Sequence, residues 1–528
     1  MRGRGAAPIA LSLVAGLVQA ASFWPFEAWW LQLAALATLV VLVLRAPGHA
    51  FGLGLAFGLG CFVAGVSWLY VSMHRYGGMP SVLAALALLL FATYLASFFA
   101  VVCVAVARLD TALSVRTKRP LPRASALALL FAGGWSLAEI LRGWLFTGFP
   151  WLAIGYAQID GPLDAFAPLL GVYGVCLFAA LVAFGLALAV MGLPGTESTN
   201  DSRAVRALGA AVALLPIAAG LALANIDWTS AHGAPLRVRL LQGNVAQDLK
   251  FDPRRSLQAM YWYANEVLGS SAPLTVLPET AWTIPWPRTP QDVHEAIVYH
   301  MQKIDGAVAI GMPLVEDEYA RNASRAEGAG VLTNSVGVID ATGTTAWRYD
   351  KRHLVPFGEF VPFGFGWFVD LMHIPLGDFA RGSEQQRPLW IGDQRIAFDI
   401  CYEDLFGEEI AAQVRGGATI LVNISNIAWF GDSHALPQHL QIARMRTLEV
   451  ARPMLRATNT GVTAAIDARG RVLGRLPPYT AGALDVEVQG TDGTTPYGRL
   501  GNTPIFALSL GLVVAGFAST RFGTRDEA

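Results

Sequence analysis

The chain has 528 residues, of which 54% are hydrophobic and 15% are charged, and its formal net charge is −1. Soluble proteins carry roughly 25% charged residues, so this composition argues against an ordinary soluble protein and indicates membrane-spanning segments. The nearly neutral charge argues against a nucleic-acid-binding protein, because such a protein needs a clustered basic surface.

Long apolar segments run from the N-terminus to about residue 223, and one more lies near the C-terminus. A helix needs about 20 mostly apolar residues to cross a bilayer. We predict spans at Ala7–Ala21, Trp29–Leu44, Phe51–Tyr70, Val82–Val106, Ala124–Leu141, Pro168–Met191, Ala207–Leu223 and Thr503–Ala518. The first segment is also typical of a signal peptide, but Trp24 and Phe26 follow it instead of a small-residue cleavage site. We therefore expect it to be retained.

Basic residues between the predicted spans indicate the orientation of the chain. They are concentrated at the N-terminus, in every second loop and in the C-terminal tail: Arg2, Arg4, Arg45, Arg108, Arg116, Lys118, Arg119, Arg123, Arg203, Arg206, Arg521 and Arg525. Because loops rich in basic residues stay cytoplasmic, both termini are predicted to be cytoplasmic. The predicted domains are a seven-span transmembrane domain (1–226), an outer domain (227–502), and an eighth span with a cytoplasmic tail (503–528). The alternative is that the apolar segments are core helices of a soluble protein.

Residues 227–502 have the pattern of an α/β domain. Short apolar or alternating runs predict strands at Leu236–Leu241, Leu274–Leu277, Ala307–Ile310, Val331–Ile339, Ile396–Ile400, Ile420–Ile424, Met454–Ala457 and Val462–Ile466. Helical spacing predicts helices at Arg254–Leu268, Glu408–Arg415 and His439–Val450. Asp340–Gly343 and Asp467–Gly470 are typical of hairpin turns. Strands interleaved with helices predict sheets covered by helices.

Polar residues follow three of the predicted strands or motifs in this domain. Glu279 comes directly after Leu277 and Pro278, Lys351 lies in the run YDKRHLVPFGE, and Cys401 follows the strand Ile396–Ile400. Each has an ordinary structural alternative: a helix cap for Glu279, a surface cation for Lys351, and a small core residue for Cys401. Residues at strand ends commonly face a functional site, so the combination favours one.

The three side chains together suit nucleophilic catalysis. A thiol reacts as its thiolate, a carboxylate with a raised pKa can accept its proton, and an ammonium can stabilise the anions that form. Of 38 basic residues only Lys118, Lys250, Lys303 and Lys351 are lysines, so Lys351 fits a position that needs a compact ammonium. The other cysteines, Cys61, Cys103 and Cys176, all lie in apolar segments, so no disulfide scaffold is expected.

Four motifs resemble those of the nitrilase superfamily and, more closely, those of the bacterial apolipoprotein N-acyltransferase family. They are Leu277–Thr280 (LPET), Tyr349–Pro362 (YDKRHLVPFGEFVP), Ile400–Glu403 (ICYE), and Asn423–Asn426 (NISN) followed by Ala428–Asp432 (AWFGD). The resemblance covers essentially the whole chain, since that family also has eight spans and one periplasmic domain between the last two. It implies an α-helical transmembrane bundle of eight spans and an α/β, nitrilase-like domain folded as an α-β-β-α sandwich.

The resemblance also implies roles for individual residues. Glu279 is expected to be the general base, Lys351 to stabilise tetrahedral intermediates, and Cys401 to be the nucleophile that carries a thioester. The expected supporting residues are Glu359, Tyr402 and Glu403, and the expected substrate-binding residues are Phe251, Trp282, Phe357, Asn426 and Trp429. Neither a metal nor another cofactor is implied.

Two positions depart from the family pattern. Ile427 stands where an aspartate is expected, so any role of that acid is absent or moved. Phe251 stands where a tryptophan is expected, which keeps an aromatic ring but loses its N–H.

The function that the resemblance implies is a two-step acyl transfer at the bacterial inner membrane, catalysed on the periplasmic side. Cys401 takes the sn-1 acyl chain of a phospholipid, expected to be phosphatidylethanolamine. The amine of the N-terminal S-diacylglyceryl-cysteine of an apolipoprotein then receives it. A monomer is expected, with no nucleic-acid partner. Lifting an acyl chain into water costs about 0.8 kcal/mol per CH2, so the site should open at the membrane surface.

Aromatic residues crowd beyond the lysine motif and after Glu279. The first group is Phe357, Phe360, Phe363, Phe365, Trp367 and Phe368, and the second contains Trp282 and Trp286. Their density suits an acyl groove or an interfacial belt, although core packing is the alternative. Interspersed glycines and prolines disfavour a regular helix, and we predict that the first group forms a mobile lid.

Other functions are compatible with parts of the sequence. A membrane-tethered amidase or nitrilase that passes the acyl group to water would use the same three residues. A transporter with an accessory domain would have polar residues within its spans and inverted repeats, and the sequence has few such residues and no repeat. A non-catalytic scaffold is a third alternative.

Overall fold

The computed structural model describes residues 6–117, 119–315, 332–361 and 379–522. It divides into two compact units. The first comprises Met1–Leu69, Ser81–Asp227 and Leu500–Ala528, and the second comprises Tyr70–Pro80 and Trp228–Arg499.

The helices of the described residues include all of the predicted helices and two that were not predicted, Gln291–Ile304 and Pro496–Leu500. In chain order they are α1 (Ala6–Ala21), α2 (Trp29–Arg45), α3 (Ala50–Gly65), α4 (Trp68–Val71), α5 (Ser81–Arg116), α6 (Pro120–Arg142), α7 (Ala167–Met191), α8 (Thr199–Leu223), α9 (Pro253–Leu268), α10 (Gln291–Ile304), α11 (Gly407–Arg415), α12 (Ala435–Val450), α13 (Pro496–Leu500) and α14 (Thr503–Phe522).

Helices cover all eight predicted spans, but they differ in length. Within the described residues, five stretches are long and apolar enough to cross a membrane: Pro47–Gly65, Ser81–Arg116, Pro120–Arg142, Asp164–Met191 and Thr199–Leu223. The three remaining helices, at Ala6–Ala21, Trp29–Arg45 and Thr503–Ser519, are apolar but shorter. Five spans are therefore supported, and eight stay a prediction. The third predicted span also differs, because α3 ends at Gly65 and the chain continues through the short α4.

Small residues allow the helices of the first unit to approach closely. A Cβ atom on Gly58 of α3 would lie 2.5 Å from the Cβ of Ala96 on α5. A Cβ on Gly185 of α7 would lie 2.6 Å from the backbone nitrogen of Ala213 on α8. Such contacts replace the hydrophobic effect as the main source of association between helices in a bilayer. 

One ion pair is buried in this unit. The side chains of Glu139 and Arg142 pair within α6, and Arg142 donates a further hydrogen bond to the carbonyl of Trp151 at 2.8 Å.

The second unit contains the strands of the chain. They are β1 (Thr229–Ala231), β2 (Leu236–Gln242), β3 (Leu274–Val276), β4 (Ala307–Val315), β5 (Leu332–Ile339), β6 (Thr345–Asp350), β7 (Leu389–Ile391), β8 (Gln394–Ile400), β9 (Ile420–Ser425), β10 (Met454–Thr458), β11 (Ala464–Ile466), β12 (Val472–Arg475), β13 (Gly482–Val488) and β14 (Thr491–Gly493).

Two six-stranded sheets form the centre of this unit. Their orders are β13-β2-β3-β4-β5-β6 and β12-β11-β10-β9-β8-β7, while β1 and β14 pair as a separate ribbon. Strands β2, β3 and β4 are parallel, as are β8, β9 and β10. Because β5 is antiparallel to both β4 and β6, β6 runs in the same direction as β3 and β4.

The two sheets pack face to face, and helices cover their outer faces. The shared core contains Val238, Val276 and Val338 from one sheet and Phe398, Val422 and Leu455 from the other. Residues of α9 and α10 pack against the outer face of the first sheet, and residues of α11 and α12 pack against that of the second. This α-β-β-α arrangement confirms the predicted fold of the domain.

Local signals explain where several elements begin and turn. The Asp252 side chain accepts hydrogen bonds from the backbone N–H groups of Arg254 and Arg255 and caps α9, whose first residue is a proline. Asp340 accepts from the N–H of Thr342 at 2.8 Å in the predicted turn between β5 and β6. Asp467 stabilises the second predicted turn in the same way, between β11 and β12.

Six strands of the described residues were not predicted from the sequence. Two of them, β1 and β14, form the separate ribbon, and the other four, β6, β7, β12 and β13, are the strands at the edges of the two sheets. Edge strands have one open side and carry more polar residues than central ones, so their apolar patterns are weak. The strands β8 and β9 are almost fully buried, and most of their residues are apolar.

Gly311 of β4 permits a close approach of the chain that follows β3. A Cβ on Gly311 would lie 2.7 Å from both the Cα of Glu279 and the backbone nitrogen of Thr280. We expect Gly311→Ala to lower the free energy of unfolding by about 1–3 kcal/mol, because backbone must move to admit the methyl group. Thermal unfolding of the purified protein in detergent measures this. Gly474→Ala is the matched strand control, since its Cβ would meet Leu484 at an ordinary 3.6 Å. Equal losses in the two variants would contradict the prediction.

Candidate active site

The two sheets bring the three residues singled out in the sequence to strand ends. Glu279 follows β3, and Lys351 follows β6, which runs in the same direction in the same sheet. Cys401 follows β8 of the facing sheet and begins a 3-10 turn. Because β3 and β6 have the same direction, their carboxyl ends lie at one edge of the sheet.

Lys351 lies between two carboxylates. Its side chain is 1% exposed, and its Nζ is 3.0 Å from Oε1 of Glu359 and 3.4 Å from Oε1 of Glu279. Burial disfavours the charged ammonium, but the charges of Glu359 and Glu279 outweigh burial and raise the pKa of Lys351 above its usual value. Lys351 is therefore a permanent cation at neutral pH.

Glu279 is ionised despite being buried. Its Oε1 accepts a hydrogen bond from the side chain of Asn334 at 2.8 Å, and its Oε2 accepts one from the backbone N–H of Asn426 at 2.7 Å. Burial favours the neutral acid, but Lys351 together with these hydrogen bonds and Lys250 lowers the pKa of Glu279 below its usual value. The pKa raised by burial that was expected for the base is therefore not found: the carboxylate is unprotonated and can accept a proton, but it is a weaker base than an ordinary glutamate.

Asn334 of β5 joins the two carboxylates and was missed in the sequence interpretation. Its side-chain NH2 group donates to Glu279 at 2.8 Å and to Glu359 at 2.6 Å, and its backbone carbonyl oxygen accepts from the backbone N–H of Lys351 at 2.8 Å. The sequence does contain a signal, because Asn334 lies within three consecutive polar residues of an otherwise apolar strand, VLTNSVGVI. Such a polar interruption in a buried strand requires partners.

Cys401 occupies a left-handed backbone conformation, with φ of +55°. Non-glycine residues rarely adopt this region, and such strain is concentrated at functional sites. Burial raises the pKa of the Cys401 thiol to about 12, and the negative charge of Glu279 acts in the same direction, while Lys351 opposes it. The thiol is therefore protonated at neutral pH and needs a base to react.

Glu403 ties the turn that carries Cys401 to the segment after Lys351. Its Oε2 accepts hydrogen bonds from the N–H of Ile400 at 2.7 Å and from the hydroxyl of Tyr349 at 2.9 Å. Its Oε1 accepts from the N–H groups of Arg352 and His353 at 2.6 and 3.0 Å. Burial raises the pKa of Glu403 to about 7, although the N–H of His353 opposes this shift.

Asp404 anchors the same turn on its other side. Its Oδ1 is 2.8 Å from Nε2 of His439, and its Oδ2 is 2.6 Å from Nη1 of Arg456. Arg456 also donates to Nδ1 of His439 at 3.1 Å, so Nε2 carries the ring proton that is donated to Asp404. Burial and the charge of Arg456 lower the pKa of His439, which agrees with a neutral ring.

Asn426 belongs to an amide network beside Glu279. Its side chain donates to Gln247 at 2.8 Å and accepts from Asn459 at 2.9 Å. Asn459 also makes two hydrogen bonds with the backbone of Val245. The network orients the N–H group of Asn426 toward the Glu279 carboxylate.

The other predicted residues lie in different surroundings. Trp282 is fully buried between the first sheet and its helices, where its Nε1 donates to Thr289. Phe251 is 49% exposed. The rings of Tyr402 and His353 lie 5.9 Å apart.

Other residues of the family motifs have varied surroundings too. The ring of Trp429 lies 6.0 Å from that of Tyr76, edge to face. Phe357 has a φ of +63°, and its N–H donates to the carbonyl of Phe360. Ile427, where an acid was expected, is buried, with its Cγ2 2.6 Å from the point that a Cβ on Gly461 would occupy. The remaining residues of the predicted lid, Phe363, Phe365, Trp367 and Phe368, lie outside the described residues.

A second lysine also lies at the site and was not predicted. Lys250 is 4% exposed, and its Nζ donates to the carbonyl oxygen of Glu279 at 3.1 Å. Across the part of the chain that the structure describes, no group of three or more His, Cys, Asp and Glu residues could hold a metal ion.

Comparisons with known proteins match both units. Residues 15–185 match the apolipoprotein N-acyltransferase N-terminal domain, and residues 237–497 match the carbon-nitrogen hydrolase family. The apolipoprotein N-acyltransferase of Ralstonia nicotianae is 44% identical, with 98% of this chain and 94% of the relative covered. That of Bordetella bronchiseptica is 45% identical with 97% of each chain covered. That of Nitrosomonas europaea is 41% identical, again with 97% of each covered.

The raised pKa of Cys401 predicts slow alkylation at neutral pH. Because the thiolate is the reactive form, the rate of labelling by iodoacetamide should keep rising from about pH 7 to about pH 10 without reaching a plateau. Mass spectrometry of the peptide containing Cys401 measures the rate, and Cys401→Ala controls for labelling of the three buried cysteines. A plateau below about pH 9 would indicate an ordinary or lowered thiol pKa and reject the prediction.

The contacts of Glu403 predict a cost for replacing its carboxylate with an amide. In Glu403→Gln the new NH2 group must face at least one of the backbone N–H groups that donate to the carboxylate in the native protein, and that N–H loses its acceptor. This loss should lower the free energy of unfolding by about 1–3 kcal/mol. Thermal unfolding at pH above 7 measures the effect. The matched control is Glu409→Gln, since Glu409 is partly exposed and its carboxylate pairs with the ring of the same histidine, His353. The prediction is wrong if the control loses as much stability as Glu403→Gln.

Proposed function

The chain belongs to the apolipoprotein N-acyltransferase family, and we propose that Glu279, Lys351 and Cys401 are its catalytic triad. The protein is a membrane-bound bacterial acyltransferase that acts in lipoprotein N-acylation. One observation carries the assignment of the triad: the buried carboxylate of Glu279 is held ionised by Lys351 at the strand ends of a nitrilase-like sandwich. The Cys401 thiol shares this electrostatic environment, because its pKa responds to both charges.

The first half-reaction forms a thioester on Cys401. As Sγ attacks the carbonyl carbon of the sn-1 ester, the thiol proton passes to Glu279, and the carbonyl oxygen becomes an oxyanion beside the Lys351 ammonium. When the intermediate collapses, the ester C–O bond breaks. The leaving alkoxide takes the proton back from Glu279. The products are an acylated cysteine and a lysophospholipid, so protons and atoms balance.

The second half-reaction consumes the thioester. The neutral α-amine of the S-diacylglyceryl-cysteine attacks the thioester carbonyl and loses a proton to Glu279. The C–S bond then breaks, an amide remains, and the departing sulfur recovers the proton. The high pKa of the Cys401 thiol favours its return to the protonated state after each cycle.

The proposed donor and topology follow from the membrane-bound substrates. We propose that the donor is a phospholipid such as phosphatidylethanolamine and that the acceptor is a diacylated apolipoprotein. The catalytic domain (227–502) is periplasmic, between transmembrane regions 1–226 and 503–528, with both termini in the cytoplasm of an inner-membrane protein. The distribution of basic residues supports this orientation. A monomer suffices, because one chain supplies all of the proposed catalytic residues.

Supporting roles follow from the hydrogen bonds. Glu359 orients Lys351, Glu403 holds the turn of Cys401 against the segment after Lys351, and Asn426 orients Glu279. Tyr402, Phe251, Phe357 and Trp429 are proposed to contact substrate. For Trp282, its complete burial favours a packing role that shapes the site from behind.

Acyl transfer is distinguished from hydrolysis by the fate of the thioester. Incubation with phospholipid should add one acyl mass to Cys401, and a lipopeptide with a free N-terminal amine should remove it and become acylated. Cys401→Ser should lower transfer on the order of a thousandfold or more, because serine forms almost no anion with this base. Cys401→Ala should fold but form no adduct, whereas Cys61→Ala should still form it. Release of free fatty acid without lipopeptide acylation would favour the hydrolase alternative.

A further inference from the structure

Lys250 is the charged group at the site that no motif explains. It lies in the segment just before α9, the helix that Asp252 caps, and only 4% of the Lys250 residue is exposed. Lysine is scarce in this chain, yet two of its four lysines, Lys250 and Lys351, are buried around Glu279, while Lys303 is exposed. Two lysines converging on one glutamate argue for a function beyond surface solvation.

The hydrogen bond of Lys250 is made to the backbone, not to a carboxylate. Its Nζ donates to the carbonyl oxygen of Glu279 at 3.1 Å, and among the described residues no carboxylate oxygen lies within ion-pair distance of it. A buried ammonium without an anionic partner is costly. Burial accordingly lowers the pKa of Lys250 to about 8, although the charges of Glu279 and Cys401 partly oppose this shift.

The charges at the site explain what this ammonium supplies. Glu279, Glu359 and Lys351 alone would have a formal net charge of −1, which opposes formation of a thiolate at Cys401. Lys250 adds one positive charge and brings the resting group to neutrality. A local positive charge also favours the neutral, nucleophilic form of an incoming amine.

We propose that Lys250 is a positioning residue whose ammonium holds the backbone of Glu279 and supplies the positive charge that balances the site when Cys401 ionises. The inference rests on the proposed function, and it adds a group outside the triad. The titratable groups that Lys250 faces are Glu279 after β3 and Cys401 after β8, with Lys351 and Glu359 beyond Glu279.

Loss of the Lys250 proton should therefore slow thioester formation in the native protein. The sign follows from the charge: above about pH 8 the amine is neutral, the site becomes more negative, and the thiolate is less stable. The wild-type rate of acylation should decline above that pH, even though a simple thiol would become more reactive there.

The test uses the full-length protein in phospholipid-containing detergent micelles, with Lys250→Met, Lys250→Arg and the exposed control Lys303→Met. Thioester formation on Cys401 is followed by mass spectrometry across a pH series. Lys250→Met should acylate about tenfold more slowly at pH 7 and show no decline near pH 8. Lys250→Arg, whose guanidinium stays protonated, should move the decline to higher pH. Lys303→Met should match the wild type.

A structural role alone would give a different result. If Lys250→Met lowers the rate equally at every pH and leaves the decline near pH 8 in place, or if Lys250→Arg retains that decline, the proposal is overturned. The comparison of Lys250→Arg with the wild type tests the proposal even if Lys250→Met does not fold.

Alkylation of Cys401 separates this proposal from the proposed function. At pH 7, where Lys250 of the wild type is charged, iodoacetamide labelling of Cys401 should be about three- to tenfold slower in Lys250→Met, whether or not phospholipid is the acyl donor. An unchanged labelling rate would refute the charge-balancing role. Absence of any acyl adduct on wild-type Cys401 would instead refute the proposed function.

Discussion

The ammonium of Lys351, buried between the carboxylates of Glu279 and Glu359, is the interaction on which the site depends. Burying three charged groups is costly, and the cost is met only when every charged atom has a partner. Asn334 donates to both carboxylates, and backbone N–H groups of Asn426 and Val355 satisfy their second oxygens. Because these partners come from different strands and loops, the charge cluster specifies how the strand ends are arranged.

The turn that begins at Cys401 is held from two sides by consecutive acids. Glu403 accepts hydrogen bonds from the backbone after Lys351, and Asp404 pairs with His439 and Arg456 in the helix and strand behind the turn. The strained backbone of Cys401 is therefore kept in place by contacts on both sides. This explains the two acids that lie two and three residues after the cysteine: they position it, and neither is the proposed base.

The electrostatics of the site favour a protonated thiol at rest. Burial and the charge of Glu279 raise the pKa of Cys401 to about 12, so the thiolate forms only when a proton moves to a base. The burial that raises this pKa is useful in an acyltransferase, because burial excludes water and the thioester must survive until an amine arrives. Nearby cations are important for the same reason, since small changes in local charge alter the stability of the anions that form at Cys401.

Much of the fold could be predicted because it depends on local patterns. Short, mostly apolar runs identified the strands β8 and β9, and aspartate-containing turns identified two hairpins. The edge strands β6, β7, β12 and β13 could not be identified in this way, because a half-exposed strand tolerates polar residues and its state depends on the neighbour with which it pairs.

The residues of the candidate site also fall into two groups, those identified from the sequence and those identified only from contacts in the folded chain. The sequence by itself determined the spans long enough to be recognised, the α/β class of the outer domain, and the family motifs containing Glu279, Lys351 and Cys401. Only the tertiary structure decided that Asn334 and Lys250 join them, that Glu403 connects two of the motifs, and that Trp282 lies in the core. The physical reason is that these roles arise from contacts through space: Asn334 is 55 residues from the Glu279 that it holds, and no periodic pattern along the chain encodes that meeting.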